Sequence, residues 1–228
     1  MKPQPASKEI RALTLVELLV VLAVIVLFVL LVPMDPSSRA KGKAMQAACQ
    51  SNLKQIGIAF RTWEGDHGDK YPMSVPKDKG GSLEYGAGKE MFRHFQVMSN
   101  ELNNPKIVLC PSDDRWFAPA IMLPNGITTN DFSNLSNTNI SYFVELDADE
   151  TRPAMILSGD RNLVVNGRDV VPGLVTIGTN DAVGWSAKMH NLTGNFGLAD
   201  GSVQKGSSGF LQKYINNTGT NVTRLAVP

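Results

Sequence analysis

The chain has 228 residues, 19% of them charged and 43% hydrophobic, with a formal net charge of +1. That suits one globular domain with a buried core beside a shorter segment, and it excludes an intrinsically disordered chain. Lys2, Lys8 and Arg11 stand against Glu9 in the first twelve residues, giving them +2 and leaving −1 for the remainder. The basic footprint of a nucleic-acid binder is missing, so no nucleic-acid partner is expected.

Residues Leu13 to Val32 read LTLVELLVVLAVIVLFVLLV, in which only Thr14 and Glu17 are polar. A helix of this length rises roughly 30 Å, the thickness of a bilayer's hydrocarbon core, and it has no polar face to suit a buried soluble helix. A spanning helix is expected. The run ends in Pro33-Met34-Asp35-Pro36 without an Ala-x-Ala pattern, which argues against an ordinary secretory signal. The basic residues before it predict a cytoplasmic N-terminus. Glu17 is the exception inside the run. A charged side chain at such a depth costs about 2.5 to 3.5 kcal/mol on insertion scales and calls for a counter-charge. Arg11 lies six positions back, off the helical neighbours at i+3 and i+4, so another chain or a newly exposed α-amino group is the better partner.

The stretch Lys8-Glu9-Ile10-Arg11-Ala12-Leu13-Thr14-Leu15-Val16-Glu17-Leu18-Leu19-Val20-Val21 resembles the class III signal of type IV pilins and type II secretion pseudopilins. The resemblance implies cleavage between Ala12 and Leu13 by a prepilin peptidase, followed by N-methylation of Leu13. It also implies that Glu17 pairs with the N-terminal amine of a neighbouring subunit during assembly. Family members most often carry Gly before the cut and Phe or Met after it, where this chain has Ala12 and Leu13.

From Ser37 to about Trp63 a second helical segment is expected, interrupted from the first by Pro33 and Pro36. Met45, Cys49, Leu53, Ile56, Phe60 and Trp63 form one apolar stripe at helical spacing, suited to covering a domain core. The run Cys49-Gln50-Ser51-Asn52-Leu53-Lys54-Gln55-Ile56-Gly57 resembles the CxxNLKQIG run of a large pseudopilin-like group. Gly65-Asp66-His67-Gly68-Asp69-Lys70-Tyr71-Pro72 ends the helix. With Glu64, its carboxylates offer oxygen ligands of the kind Ca²⁺ takes, but the spacing is not that of an EF-hand and a plain turn is the favoured reading. No cofactor is expected, with Ca²⁺ as the alternative.

Beyond an exposed stretch from Ser74 to Gly88, a short helical piece is predicted at Lys89 to Leu102 and a strand at Lys106 to Cys110. Cys49 and Cys110 are the only cysteines, with no metal-type spacing around them. They form either a disulfide closing a loop of about sixty residues or two buried thiols. Residues 124 to 139, crowded with Asn, Thr and Ser, predict a surface loop. Strands are expected at Ile140 to Leu146, Ala154 to Ser158 and Leu163 to Val165, with Asn166-Gly167 a turn and a final hairpin turning in type I′ geometry at Asp200-Gly201. His190 lies ten residues before that pair, which resembles the His-x9-Asp-Gly signature of a pilin-like group. A role bracing the hairpin through a hydrogen bond is expected of it.

The three histidines, His67, His94 and His190, form no HExxH, and no GxSxG occurs. Gly86-Ala87-Gly88-Lys89-Glu90 lacks the Walker spacing. No enzymatic site is visible, and a tethered hydrolase is the least favoured class. The expected fold class is α+β and pilin-like, a long N-terminal helix packed on an antiparallel sheet. Its parts are a leader at 1–12, a transmembrane helix at 13–33, an amphipathic stalk at 34–64 and a head at 65–228. The resemblance implies a subunit of a secretion or pilus-like filament, N-terminus cytoplasmic and head periplasmic or extracellular. Its partners would be the peptidase, other pilin-like subunits and the inner membrane. The alternative is a membrane-anchored binding module or adhesin.

Overall fold

The structure, a computed structural model, describes residues 14–31, 38–117, 132–133, 135–217 and 219–228. The leader, Ala12 and Leu13, the Pro33 and Pro36 interruption, Ser37, and residues 124 to 131 and Asn134 of the predicted loop lie outside the described residues. The chain divides into two compact units, Met1–Lys41 and Gly42–Pro228.

The first unit holds α1, Leu15–Leu31, a helix of 17 residues. The two ends of the predicted spanning stretch, Leu13 and Val32, fall outside the described residues, and among those described no helix is long and apolar enough to cross a membrane. The second helical segment is α2, Ser38–Gly65, of 28 residues.

In the second unit, strands β1 (Tyr142–Glu145), β2 (Ile156–Asp160), β5 (Gly173–Gly178), β7 (Thr193–Leu198), β8 (Val203–Ser207) and β9 (Val222–Val227) form an antiparallel sheet in the order β5-β9-β1-β2-β7-β8. A smaller antiparallel sheet joins β3 (Leu163–Val165) to β4 (Arg168–Asp169) and β6 (Val183–Trp185). The α+β class with an antiparallel sheet is as expected.

The main sheet is covered on both faces, which the two-residue alternation of its strands explains. Tyr142 and Val144 of β1, Leu157 of β2 and Ala226 of β9 join a core with Cys49, Leu53, Ile56, Phe60 and Trp63, the predicted stripe of α2. Their neighbours Phe143, Ile156, Leu225 and Val227 turn the other way. They pack with Leu163, Val183 and Trp185 of the small sheet and with Leu211 and Ile215 of a late helix, Ser208–Asn216. Each buried side chain of this size contributes about 1.5 to 3 kcal/mol. The second layer is absent from the sequence reading, which foresees only the helix-covered face.

Two local expectations are corrected. Lys106 to Cys110 is not a strand: Pro105 starts a 3₁₀ turn, Pro105–Val108, and the Asn104 side chain caps it by accepting from Lys106 N. Lys89 to Leu102 forms two short helices, α3 (Arg93–Gln96) and α4 (Ser99–Leu102), which makes the late helix α5. Asn166 and Gly167 both take positive φ, 51° and 76°, as a tight hairpin turn requires.

Candidate functional site: the clamp between α2 and the sheet

The residues singled out in the sequence fall into three places. Glu17 sits in the first turn of α1, where Thr14 N and Thr14 Oγ1 donate to its Oε2 at 2.9 and 2.8 Å and its own N–H donates back to Thr14 Oγ1 at 3.3 Å. This is a capping box, with the acid near the positive end of the helix dipole. The signal, Thr-x-x-Glu, is plain in the sequence, and the sequence reading passes over it.

The second place is a cluster built where α2 crosses the sheet. Cys49 of α2 and Cys110 are joined by a disulfide. Three residues after Cys110 the chain turns, and Asp113 N donates to Cys110 O at 2.9 Å. The Asp113 carboxylate accepts from Arg161 Nε at 2.9 Å and Nη2 at 2.6 Å, from Arg115, and from Ser141 Oγ at 2.7 Å. Burial pushes this acid up, but the two guanidinium groups outweigh it and hold it well below the usual carboxylate range.

One residue before Arg161, Asp160 ends β2 fully buried. Its Oδ2 accepts from Asn195 N at 2.7 Å and Nδ2 at 2.8 Å, while Gln50 Nε2 of α2 donates to Asn195 Oδ1 at 3.1 Å. His190 Nε2 lies 3.4 Å from both Asp160 Oδ2 and Cys110 Sγ. Burial pushes Asp160 up to about 7 and His190 down to about 4, so the pair favours a neutral imidazole. Asn162 completes the group, its Nδ2 donating to the carbonyls of Ser186 at 3.2 Å, Lys188 at 2.9 Å and Thr193 at 3.4 Å.

Motifs spread from residue 49 to residue 195 thus meet in one buried knot. Cys49, Cys110 and His190 also have the spacing of a soft-metal site. A metal needs thiolates, however, and these two sulfurs are bonded to each other. Asp113 is held by guanidinium and hydroxyl donors and Asp160 Oδ2 by Asn195, while Asp160 Oδ1 is buried without a hydrogen-bond partner. These bonds tie chain segments to one another.

The third place is the β7–β8 loop. Gly201 N donates to Leu198 O at 2.9 Å and Leu198 N to Ser202 O at 2.8 Å, with Gly201 at φ 79°. Asp200 has no positive φ and accepts from Ser202 N at 2.7 Å. The hairpin therefore turns through a longer loop with a left-handed glycine, and the expected type I′ turn at Asp200-Gly201 is corrected. Its brace is α2: Lys54 Nζ donates to Gly201 O at 2.9 Å and Arg61 Nη1 to Asp200 O at 3.0 Å. His190 lies at the opposite end of β7, roughly 20 Å away along the strand by the rise per residue, so its side chain does not hold this turn.

The chain matches no protein-family model, no curated protein and no solved structure.

The CxxNLKQIG run now has a physical content that owes nothing to likeness. Cys49 supplies the disulfide and Gln50 reaches Asn195. Asn52 Nδ2 donates to Leu109 O at 2.8 Å, and Lys54 takes the Gly201 carbonyl. Gly57 faces Gly201, whose Cα would lie 3.5 Å from a Cβ added there.

Proposed function

We propose that the chain is a structural subunit, a pseudopilin or minor pilin, of a type II secretion or type IV pilus-like envelope filament. In this reading it is cut between Ala12 and Leu13, N-methylated at Leu13 and held in the inner membrane with its head outside the cytoplasm. The observation that carries it is α1. The described side chains from Leu15 to Leu27 are all exposed in the single chain, Leu15 by 73% and Leu27 by 57%, and Glu17 is the one charged residue among them. A helix apolar all round needs lipid or other helices about it.

Assembly supplies both in turn. The helix leaves lipid and packs against sister helices, and Glu17 meets the α-amino group of a neighbour's Leu13. Thr14 does not compete with that role, since an uncharged cap leaves the carboxylate its charge. A disulfide between Cys49 and Cys110 accords with a head in an oxidising compartment.

The test is mass spectrometry of the chain recovered from membranes. A mature form starting at methylated Leu13 is expected. An intact Met1, or a cut near Ser37, removes the proposal.

A further inference from the structure

Glu64, Asp69 and Glu150 come from three different elements: the last turn of α2, the loop after it, and the connection between β1 and β2. One carboxylate oxygen of each lies within 4.8 Å of the other two. Loop and helix are tied here, Asp69 N donating to Glu64 O at 3.2 Å. Glu64 is only 3% exposed, and its Oε2 is buried with no hydrogen bond of ordinary geometry, Glu150 and Tyr71 being its polar neighbours. A carboxylate taken out of water without compensation is costly, so this oxygen points to a missing positive ligand.

We propose that these three carboxylates form a Ca²⁺ site, with Glu64 as the buried ligand and Asp69 and Glu150 as the two that face solvent.

The charge balance fits a divalent ion. Arg61 Nη2 reaches Glu150 Oε1 at 3.7 Å and offsets one of the three negative charges. Lys70 and Asp149, which line the adjoining cavity of about 170 Å³, offset each other. Two negative charges remain.

The donor set fits calcium in particular. It is all carboxylate oxygen, a hard ligand set, and one Ca²⁺ with bonds of about 2.3 to 2.6 Å bridges oxygens up to roughly 5 Å apart. Mg²⁺, with bonds of about 2.0 to 2.1 Å, spans less and demands a stricter octahedron. The exposed side leaves room for water in the remaining positions. Bound there, the ion ties the end of α2 to the β1–β2 connection, about 22 Å along the helix from Cys49.

The experiment uses the purified full-length chain in detergent, titrated with CaCl₂ by calorimetry and melted in CaCl₂ or in EGTA. Binding is expected in the range of about 10⁻⁴ to 10⁻³ M typical of extracellular calcium modules, and 10 mM Ca²⁺, roughly ten or more times that constant, should raise the melting midpoint by several degrees. Glu150→Gln, at the surface, should fold normally and weaken binding at least about tenfold by removing one charged ligand. Glu64→Gln should abolish it. Equal midpoints in CaCl₂ and EGTA, an equal rise with MgCl₂, or full calcium binding by Glu150→Gln would overturn the assignment.

Discussion

Thr14 and Glu17 cap one another across the first turn of α1, two bonds running from Thr14 to the Glu17 carboxylate and one returning from Glu17 N–H to the Thr14 hydroxyl. Glu17 therefore has two separable tasks. It closes a helix end, which needs only a hydrogen-bond acceptor, and in the proposed assembly it answers an amine, which needs a charge.

Two substitutions divide these tasks. Glu17→Gln keeps a capping-box residue and removes the charge. Thr14→Val keeps the charge and removes the cap, at a cost of about 0.5 to 2 kcal/mol of helix stability. Filament recovery from sheared cells should fail for Glu17→Gln and persist for Thr14→Val. The opposite pattern assigns Glu17 to the helix end alone.

Removing the covalent bond in Cys49→Ser/Cys110→Ser should cost about 4 kcal/mol, the loop-closure value for a ring of this size. The sequence separation is 61. Denaturant midpoints with and without reductant provide the check, and the double variant should be insensitive to reductant.

Two glycines, Gly159 and Gly57, should behave oppositely. A Cβ at Gly159 would meet Phe143 Cζ at 2.7 Å and Phe196 Cβ at 2.9 Å, so Gly159→Ala should destabilise by about 1 to 3 kcal/mol through overpacking. At Gly57 the nearest atom is Gly201 Cα at 3.5 Å, an ordinary contact. Gly57→Ala should be neutral, or stabilise by up to about 1 kcal/mol through helix propensity. Thermal melts of the two variants, side by side with the parent, read the contrast directly.

Glu145 lies on β1 with no exposed surface, and neither carboxylate oxygen has a hydrogen bond of ordinary geometry. Burial, and then the charge of Asp147, push it up to about 8 from 4.5. The folded chain therefore keeps a proton that the unfolded chain has released. Its stabilising effect is complete below pH 4.5 and is lost as pH rises toward 8, at up to about 1.4 kcal/mol per unit. Asp160 and Glu64 slope the same way, while His94 and His190, pushed down to about 4, slope oppositely between there and 6.5. Subtracting the profile of Glu145→Gln from that of the parent isolates one acid. The variant should gain steadily over the parent from pH 4.5 to 8 in denaturant midpoint, and a constant difference refutes the titration.

What the sequence made legible follows from which signals are local. The stripe from Met45 to Trp63 reads directly because helical neighbours recur every three or four residues, and Asn166-Gly167 reads directly because few other pairs accept two positive φ angles. The strand expected at Lys106 to Cys110 fails for a local reason also: an apolar run of five says nothing about helix or strand, and the cap-and-proline pair Asn104-Pro105 beside it is the stronger signal. β9 escapes notice because what makes it a strand is pairing with β1 and β5, distant in the chain. The knot around Asp160 and Asp113 is partly legible, since the cysteines and His190 stand out, yet nothing in the spacing says that Arg161 reaches back to Asp113. The acidic cluster is half visible in the Glu64 to Asp69 loop. Glu150, the residue that completes it, lies in a polar run that only the fold brings near.

The bond between Cys49 and Cys110 makes a covalent ring of everything from one to the other. A pull on the N-terminal end of α2 passes through that bond straight to the turn before Asp113, and so to Arg161 and β2, without straining the looped segment between. Tension therefore reaches the centre of the sheet by the shortest route, and the ring's contents, the Glu64 to Asp69 loop included, ride along unstretched.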